Sequence, residues 1–169
     1  MEDRAAAGRF VTARLRIAAV ALVAACAPGA PARPVAAGDR ASTLVAADSR
    51  AHVLWLLRED DLLGCRTRAR ELRALKAHHG PRMRLTVVVV GKSSGMAEGF
   101  LRRERLEATL ASVSRRTYRE QFGNTPLPAL LVIDGGRVQA VWSGSPGEPS
   151  NDPAASGALA TLLGTLVPD

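Results

Sequence analysis

Val53-Leu54-Trp55-Leu56-Leu57 is an uninterrupted apolar run. Polar residues do not alternate through it, so the pattern predicts a strand covered on both faces. A polar break over 58–61 follows. From Cys65 onward apolar positions recur at helical spacing, with Ala69, Leu72 and Leu75 on one face and Arg and Glu opposite. His79-Gly80-Pro81 ends this helix, because Gly suits the position after the cap and Pro cannot continue the turn. Leu85 to Val90, with four consecutive valines, predicts a second doubly covered strand.

Lys92 to Gly95 reads as a turn, and Met96 to about Glu107 as an amphipathic helix with Phe100 and Leu101 inward. Thr109 to Val113 is ambiguous, with a short strand as one reading. Ser114 is placed to cap a helix through Phe122 that Gly123 ends. Ala129 to Ile133 and Arg137 to Trp142 predict two strands, and Asp134-Gly135-Gly136 between them is a tight-hairpin signal. A Gly/Pro/Ser loop over 143–153 leads to a last helix, Ala154 to Val167. The first strand, helix and strand form a unit whose parallel pairing needs a right-handed crossover. The hairpin adds antiparallel strands. The fold class is therefore α/β, a mixed sheet of four to five strands with helices on both faces.

Composition narrows the function classes. The chain has 169 residues, 47% of them apolar, which excludes a disordered chain. Two cysteines exclude a disulfide scaffold. The net charge is +7, but 21 of the 23 basic residues are Arg, spread through many segments beside acidic ones. No clustered basic face with interleaved aromatics is visible, so nucleic acid is not an expected partner. No Walker or dinucleotide fingerprint implies a cofactor, and the three histidines have no metal-ligand spacing. His78 and His79 fall in a last helical turn, where cations suit the helix dipole.

The N-terminus carries a targeting pattern. Arg4, Arg9, Arg14 and Arg16 precede a short apolar run, Ile17 to Ala25, too short to span a bilayer. It ends in Val23-Ala24-Ala25-Cys26, which resembles the lipobox of bacterial lipoproteins. That resemblance implies removal of residues 1–25, acylation of Cys26, and a membrane-anchored, extracytoplasmic protein of the bacterial cell envelope with membrane lipid as a partner. Residues 26–50, rich in Ala and Pro, then read as a spacer, and 51–167 as the folded domain.

The element order, with Thr125-Pro126-Leu127-Pro128-Ala129 leading into a hairpin strand, resembles the thioredoxin superfamily. It is most similar to its membrane-tethered extracytoplasmic and peroxiredoxin-like branches. The resemblance implies a cis bond before Pro128, which would face the active cysteine at the start of the first helix. Here the chain departs from the pattern. In Asp61-Leu62-Leu63-Gly64-Cys65-Arg66, Cys65 matches the second cysteine of Cys-x-x-Cys, and Leu62 stands where the first would be. Dithiol exchange needs both thiols. Against the peroxiredoxin pattern, Leu62 stands in place of Thr and Arg58 in place of Pro, which argues against peroxidase chemistry.

Cys65 has two readings, and the sequence leaves both open. One is a thiolate lowered by a helix start and by Arg66 and Arg68, acting as a single-thiol redox group opposite Pro128. Asp61, a candidate helix cap, would oppose that effect. The other is a buried small hydrophobe. In the second case Leu62, Leu63 and Pro128 would form an apolar lip that binds an extended peptide or another envelope protein. The first case would need an envelope thiol or disulfide protein as partner.

Overall fold

The computed structural model describes residues 33–40, 51–91, 95–143 and 157–167. Cys26, the turn at 92–94, the loop at 144–156 and the side chain of Leu63 lie outside the described residues.

The first apolar run forms β1 (Ala51–Arg58), and all but its last residue are buried. After a 3₁₀ segment (Glu59–Gly64) comes α1 (Arg66–His79), then β2 (Met83–Val90). The chain continues through α2 (Gly95–Arg103), β3 (Thr109–Val113), α3 (Arg115–Phe122), β4 (Ala129–Asp134), β5 (Arg137–Ser143) and α4 (Ala158–Leu166). Helix α2 stops at Arg103, before the expected Glu107; Arg105 beyond it has a positive φ of 52°. The ambiguous segment at Thr109 is a strand.

The sheet order is β3-β2-β1-β4-β5. Strands β1, β2 and β3 run parallel, β4 runs antiparallel to β1, and β5 antiparallel to β4. The central strand explains the unbroken apolar run. Val53, Trp55 and Leu57 point to one core with Ala69 and Leu72 of α1, Phe100 of α2 and Leu159 and Leu163 of α4. Leu54 and Leu56 point to the other core with Tyr118 and Phe122 of α3. Both faces of β1 are covered, so its buried residues are apolar apart from His52, whose Nε2 meets Thr86 Oγ1 at 2.8 Å. The Tyr118 and Phe122 rings meet at 5.4 Å, as their i, i+4 spacing predicts. Trp55 is core, 6.3 Å from the Phe100 ring.

Turn chemistry fixes the ends. Gly80 caps α1 with φ 56°, and Gly135 and Gly136 take φ 54° and 73° in the β4–β5 hairpin, conformations that favour glycine. Ser114 accepts the Thr117 N–H at 3.0 Å and caps α3.

Residues 33–40 fall in the segment expected to be a spacer, yet they pack on the domain. Arg40 bridges Arg137 at the β5 edge. The Gly38 N–H donates to Val138 O at 2.7 Å and the Val138 N–H to Asp39 O at 2.9 Å. The Val35 N–H donates to Thr125 Oγ1 at 2.9 Å, and Val35 packs on the second core. Pro-rich composition suggested a free linker, but its few β5-edge hydrogen bonds, the bond to Thr125 and one half-buried Val hold it.

Candidate functional site

The C-terminal end of β1 gathers the candidate residues. Ala129 pairs with Leu56, so Pro128 lies one step beyond, level with Leu57. The Leu127–Pro128 bond is cis, as the resemblance implied. Beyond Leu57 the 3₁₀ segment carries the chain to Cys65, which begins α1. Both candidate groups therefore belong to the same end of the sheet.

Cys65 is a free thiol, 2% exposed, inside the core that includes Trp55, Leu57, Leu62 and Ala69. Its backbone is fully used: the Cys65 N–H donates to Leu62 O at 3.2 Å, and its carbonyl accepts the Ala69 N–H at 2.9 Å. Burial, with a further push from the Asp61 charge, raises the thiol pKa to about 11, against a smaller opposing pull from Arg68. The helix start and flanking arginines predicted the opposite direction. Removal from water costs the thiolate more than those charges return.

The supporting residues sit differently from expectation. Leu62 is 5% exposed and part of the core, so it does not form an exposed lip. Asp61 does not cap α1. Its carboxylate turns back to accept the Arg58 backbone N–H at 2.9 Å and pairs with the Arg58 guanidinium at 3.0 Å. That contact closes the 3₁₀ segment on itself, and the Arg58 pKa is raised by it. Arg66 points away to Glu104, Nε to Oε1 at 3.1 Å, and its side chain is largely exposed. Arg68 pairs with Glu71. The two arginines that follow the thiol in sequence thus have carboxylate partners of their own.

The step that leads into β4 lies at this end. Leu127 and Pro128 are half-buried and Pro126 is exposed. Among the described residues, no backbone hydrogen bond takes up the N–H or C=O of Leu127. Below it, Thr125 is buried and tied down. Its hydroxyl donates to Phe122 O at 2.6 Å, and its carbonyl accepts the Tyr118 hydroxyl at 2.6 Å. This tied-down step thus leaves both backbone groups of one residue, Leu127, without a backbone partner, a feature with no signature in residue type. Trp142 is half-buried against the first core. Among the described residues no group of three His, Cys, Asp or Glu side chains could hold a metal ion, and no helix is long and apolar enough to cross a membrane.

No family model and no curated protein matches the chain. Solved structures do match in fold. One is a Chlorobium tepidum protein assigned as the thiol:disulfide interchange protein DsbE, with TM-score 0.61 and 18% identity over 78% of this chain and 97% of that one. Another is the thioredoxin domain of a Bacteroides vulgatus thiol-disulfide oxidoreductase, with TM-score 0.54 and 9% identity over 82% and 99%. A third is a secreted Mycobacterium tuberculosis disulfide oxidoreductase homologous to DsbE of E. coli, with TM-score 0.53 and 14% identity over 72% and 93%. The domain has the thioredoxin-like fold.

Proposed function

We propose that this chain is a bacterial cell-envelope protein, anchored through lipid on Cys26, whose thioredoxin-like domain binds an extended polypeptide segment at Leu127 without dithiol exchange. The observation that carries the reading is the buried Cys65 thiol with its pKa pushed up to about 11, packed with Leu62 where a second thiol would stand. At neutral pH such a thiol is ionised in roughly one molecule in 10⁴, and the thiolate is the reacting species. The unpaired N–H and C=O of Leu127 suit backbone pairing with an extended chain, which supplies affinity through main-chain hydrogen bonds.

A partner bound by the full chain in the envelope is expected to survive Cys65→Ala and to be lost on Leu127→Asp. The reverse pattern overturns the reading. Failure of the mature protein to partition with membranes, or no change in that partition on Cys26→Ser, overturns the anchor.

A second reading is favoured by the position of Cys65 at the entry to α1 and by the thiol-disulfide exchange named for the similar structures. Here the 3₁₀ segment opens, and the Cys65 thiolate attacks a partner disulfide. The new Cys65 sulfur–partner sulfur bond forms as the partner's own S–S bond breaks and its other sulfur leaves as thiolate. A thiol from another protein then resolves the mixed disulfide. A peroxidase role is the weakest reading, since a thiol of this pKa supplies little thiolate to peroxide.

A further inference from the structure

We infer that the segment 33–40 is a strap that sets the affinity of the Leu127 step, so that whatever holds the chain upstream of Arg33 acts on the bound polypeptide; this deepens the proposed function and rests on its reading of Leu127. The strap is closed on itself. The Asp39 N–H donates to Ala36 O at 3.2 Å, and the Asp39 carboxylate accepts the Ala36 N–H at 2.9 Å. Arg33 clasps the same carboxylate through bonds of 2.5 and 3.1 Å. Residues 33–39 therefore dock or leave as one unit. Their hold on the domain is light and lies at two places. At the β5 edge, Gly38 and Asp39 share one pair of backbone hydrogen bonds with Val138, and Arg40 bridges Arg137. At the other place, Val35 donates its N–H to Thr125 and packs, half-buried, on the second core. Few buried contacts and mostly exposed hydrogen bonds mark a part that opens at low free energy.

The second place is where the strap meets the site. Thr125 is 4% exposed and lies two residues before Leu127. Its hydroxyl and its N–H both donate to Phe122 O, and its carbonyl accepts the Tyr118 hydroxyl. Among the described residues, the Val35 N–H is thus the one hydrogen bond that reaches Thr125 from outside 118–125. Val35 and Leu127 also pack on the same core, with Val141 of β5. Undocking withdraws a hydrogen bond from Thr125 and an apolar neighbour from the core under Leu127. The released step gains freedom, and a polypeptide that pairs with Leu127 must order it again. A docked strap has ordered it beforehand. The coupling is reciprocal, so a segment bound at Leu127 holds the strap down by the same factor. Val35 precedes β1 in the chain, so a hold on the chain upstream of Arg33 reaches the step before it reaches β1.

The test uses the full chain in non-ionic detergent, with reduced, carboxymethylated α-lactalbumin as an unfolded, thiol-free polypeptide probe. Gly38→Pro removes a donor to Val138 and cannot take the φ of 88° found there. The change leaves Thr125 and Leu127 themselves intact. Gly38→Pro is expected to weaken probe binding at least about fivefold. Amide exchange at Val35 of the parent chain is expected to slow by a similar factor when the probe saturates it. Exchange at Val35 that the probe leaves unchanged overturns the coupling, whatever the variant does, and leaves the reading of Leu127 standing. Unchanged affinity in Gly38→Pro, with fast exchange at Val35 showing the strap released, overturns it equally. Tighter binding in that variant also overturns it, by making the strap a competitor. A probe that the parent does not bind, or binds as well after Leu127→Asp, overturns the reading of Leu127 and the inference together.

Discussion

The N–H of Cys65 donates to the carbonyl of Leu62 at 3.2 Å, and both side chains are buried in one core. This turn is where a dithiol enzyme of this fold would carry its redox pair. Here it is closed by an apolar contact and by the Asp61–Arg58 ion pair, and the thiol is shut in beneath it.

Replacing Leu62→Cys tests whether the turn still has redox geometry. A four-residue hydrogen-bonded turn holds its end Cα atoms within about 7 Å, near the limit a disulfide spans. Air oxidation is expected to form a disulfide between positions 62 and 65, and the variant is expected to gain dithiol reductase activity that the parent lacks. Mass spectrometry of the oxidised peptide and a disulfide-reduction assay read this. A pair that never oxidises would mean that the local backbone has left the redox geometry altogether.

Arg66 serves Glu104 and not the thiol. Its replacement by Ala is expected to cost up to about 1 kcal/mol in chemical denaturation, as for a mostly exposed partner of a carboxylate. The alkylation rate of Cys65 is expected to stay unchanged. A slowed rate would show that Arg66 does activate the thiol.

Thr125 couples the segment 33–40 to the step below Leu127. Thr125→Val removes the acceptor of the Val35 N–H and the donor to Phe122 O in a buried setting. The expected cost is about 1–3 kcal/mol. Amide exchange at Gly38 and Val138 is expected to quicken with it. Unchanged exchange there would show that the β5-edge bonds alone hold the segment.

Alkaline pH should unfold the protein partly through this thiol. The folded-state pKa of Cys65, about 11, lies above its ordinary value of 9.0. Below pH 9 both states are protonated and stability is unaffected. Between pH 9 and 11 the unfolded chain loses its proton first, so stability falls as pH rises, by on the order of 2 kcal/mol in total. Tyr118, raised to about 12 by burial, acts in the same direction from pH 10 upward. Cys65→Ala is expected to flatten the pH 9–11 part of the stability curve, read by urea unfolding at each pH.

The fold was legible because its strongest signals were periodic and doubly constrained. Val53 to Leu57 and Leu85 to Val90 could only be covered strands, and Ser114, Gly80 and Gly135-Gly136 marked ends through backbone chemistry. The cis bond before Pro128 came from the resemblance, since an X-Pro bond by itself permits either isomer. The site was less legible. Asp61, Cys65 and Arg66 lie within six residues of one another, and that closeness suggested mutual electrostatics. Helix geometry sends Arg66 to Glu104 and the 3₁₀ turn sends Asp61 to Arg58, contacts 38 and 3 residues away. The docking of residues 33–40 depends on the β5 edge about a hundred residues later, which no local pattern encodes.

The most direct test of the account is the alkylation rate of native Cys65 between pH 7 and 12, in a chain beginning after Cys26 so that a single thiol is present. The account predicts a rate at pH 7 roughly a hundred-fold below that of an ordinary thiol, an apparent pKa near 11, and full reaction only after unfolding. Fast reaction of the folded protein, with a pKa below the ordinary 9.0, would contradict it and make Cys65 an exposed redox nucleophile.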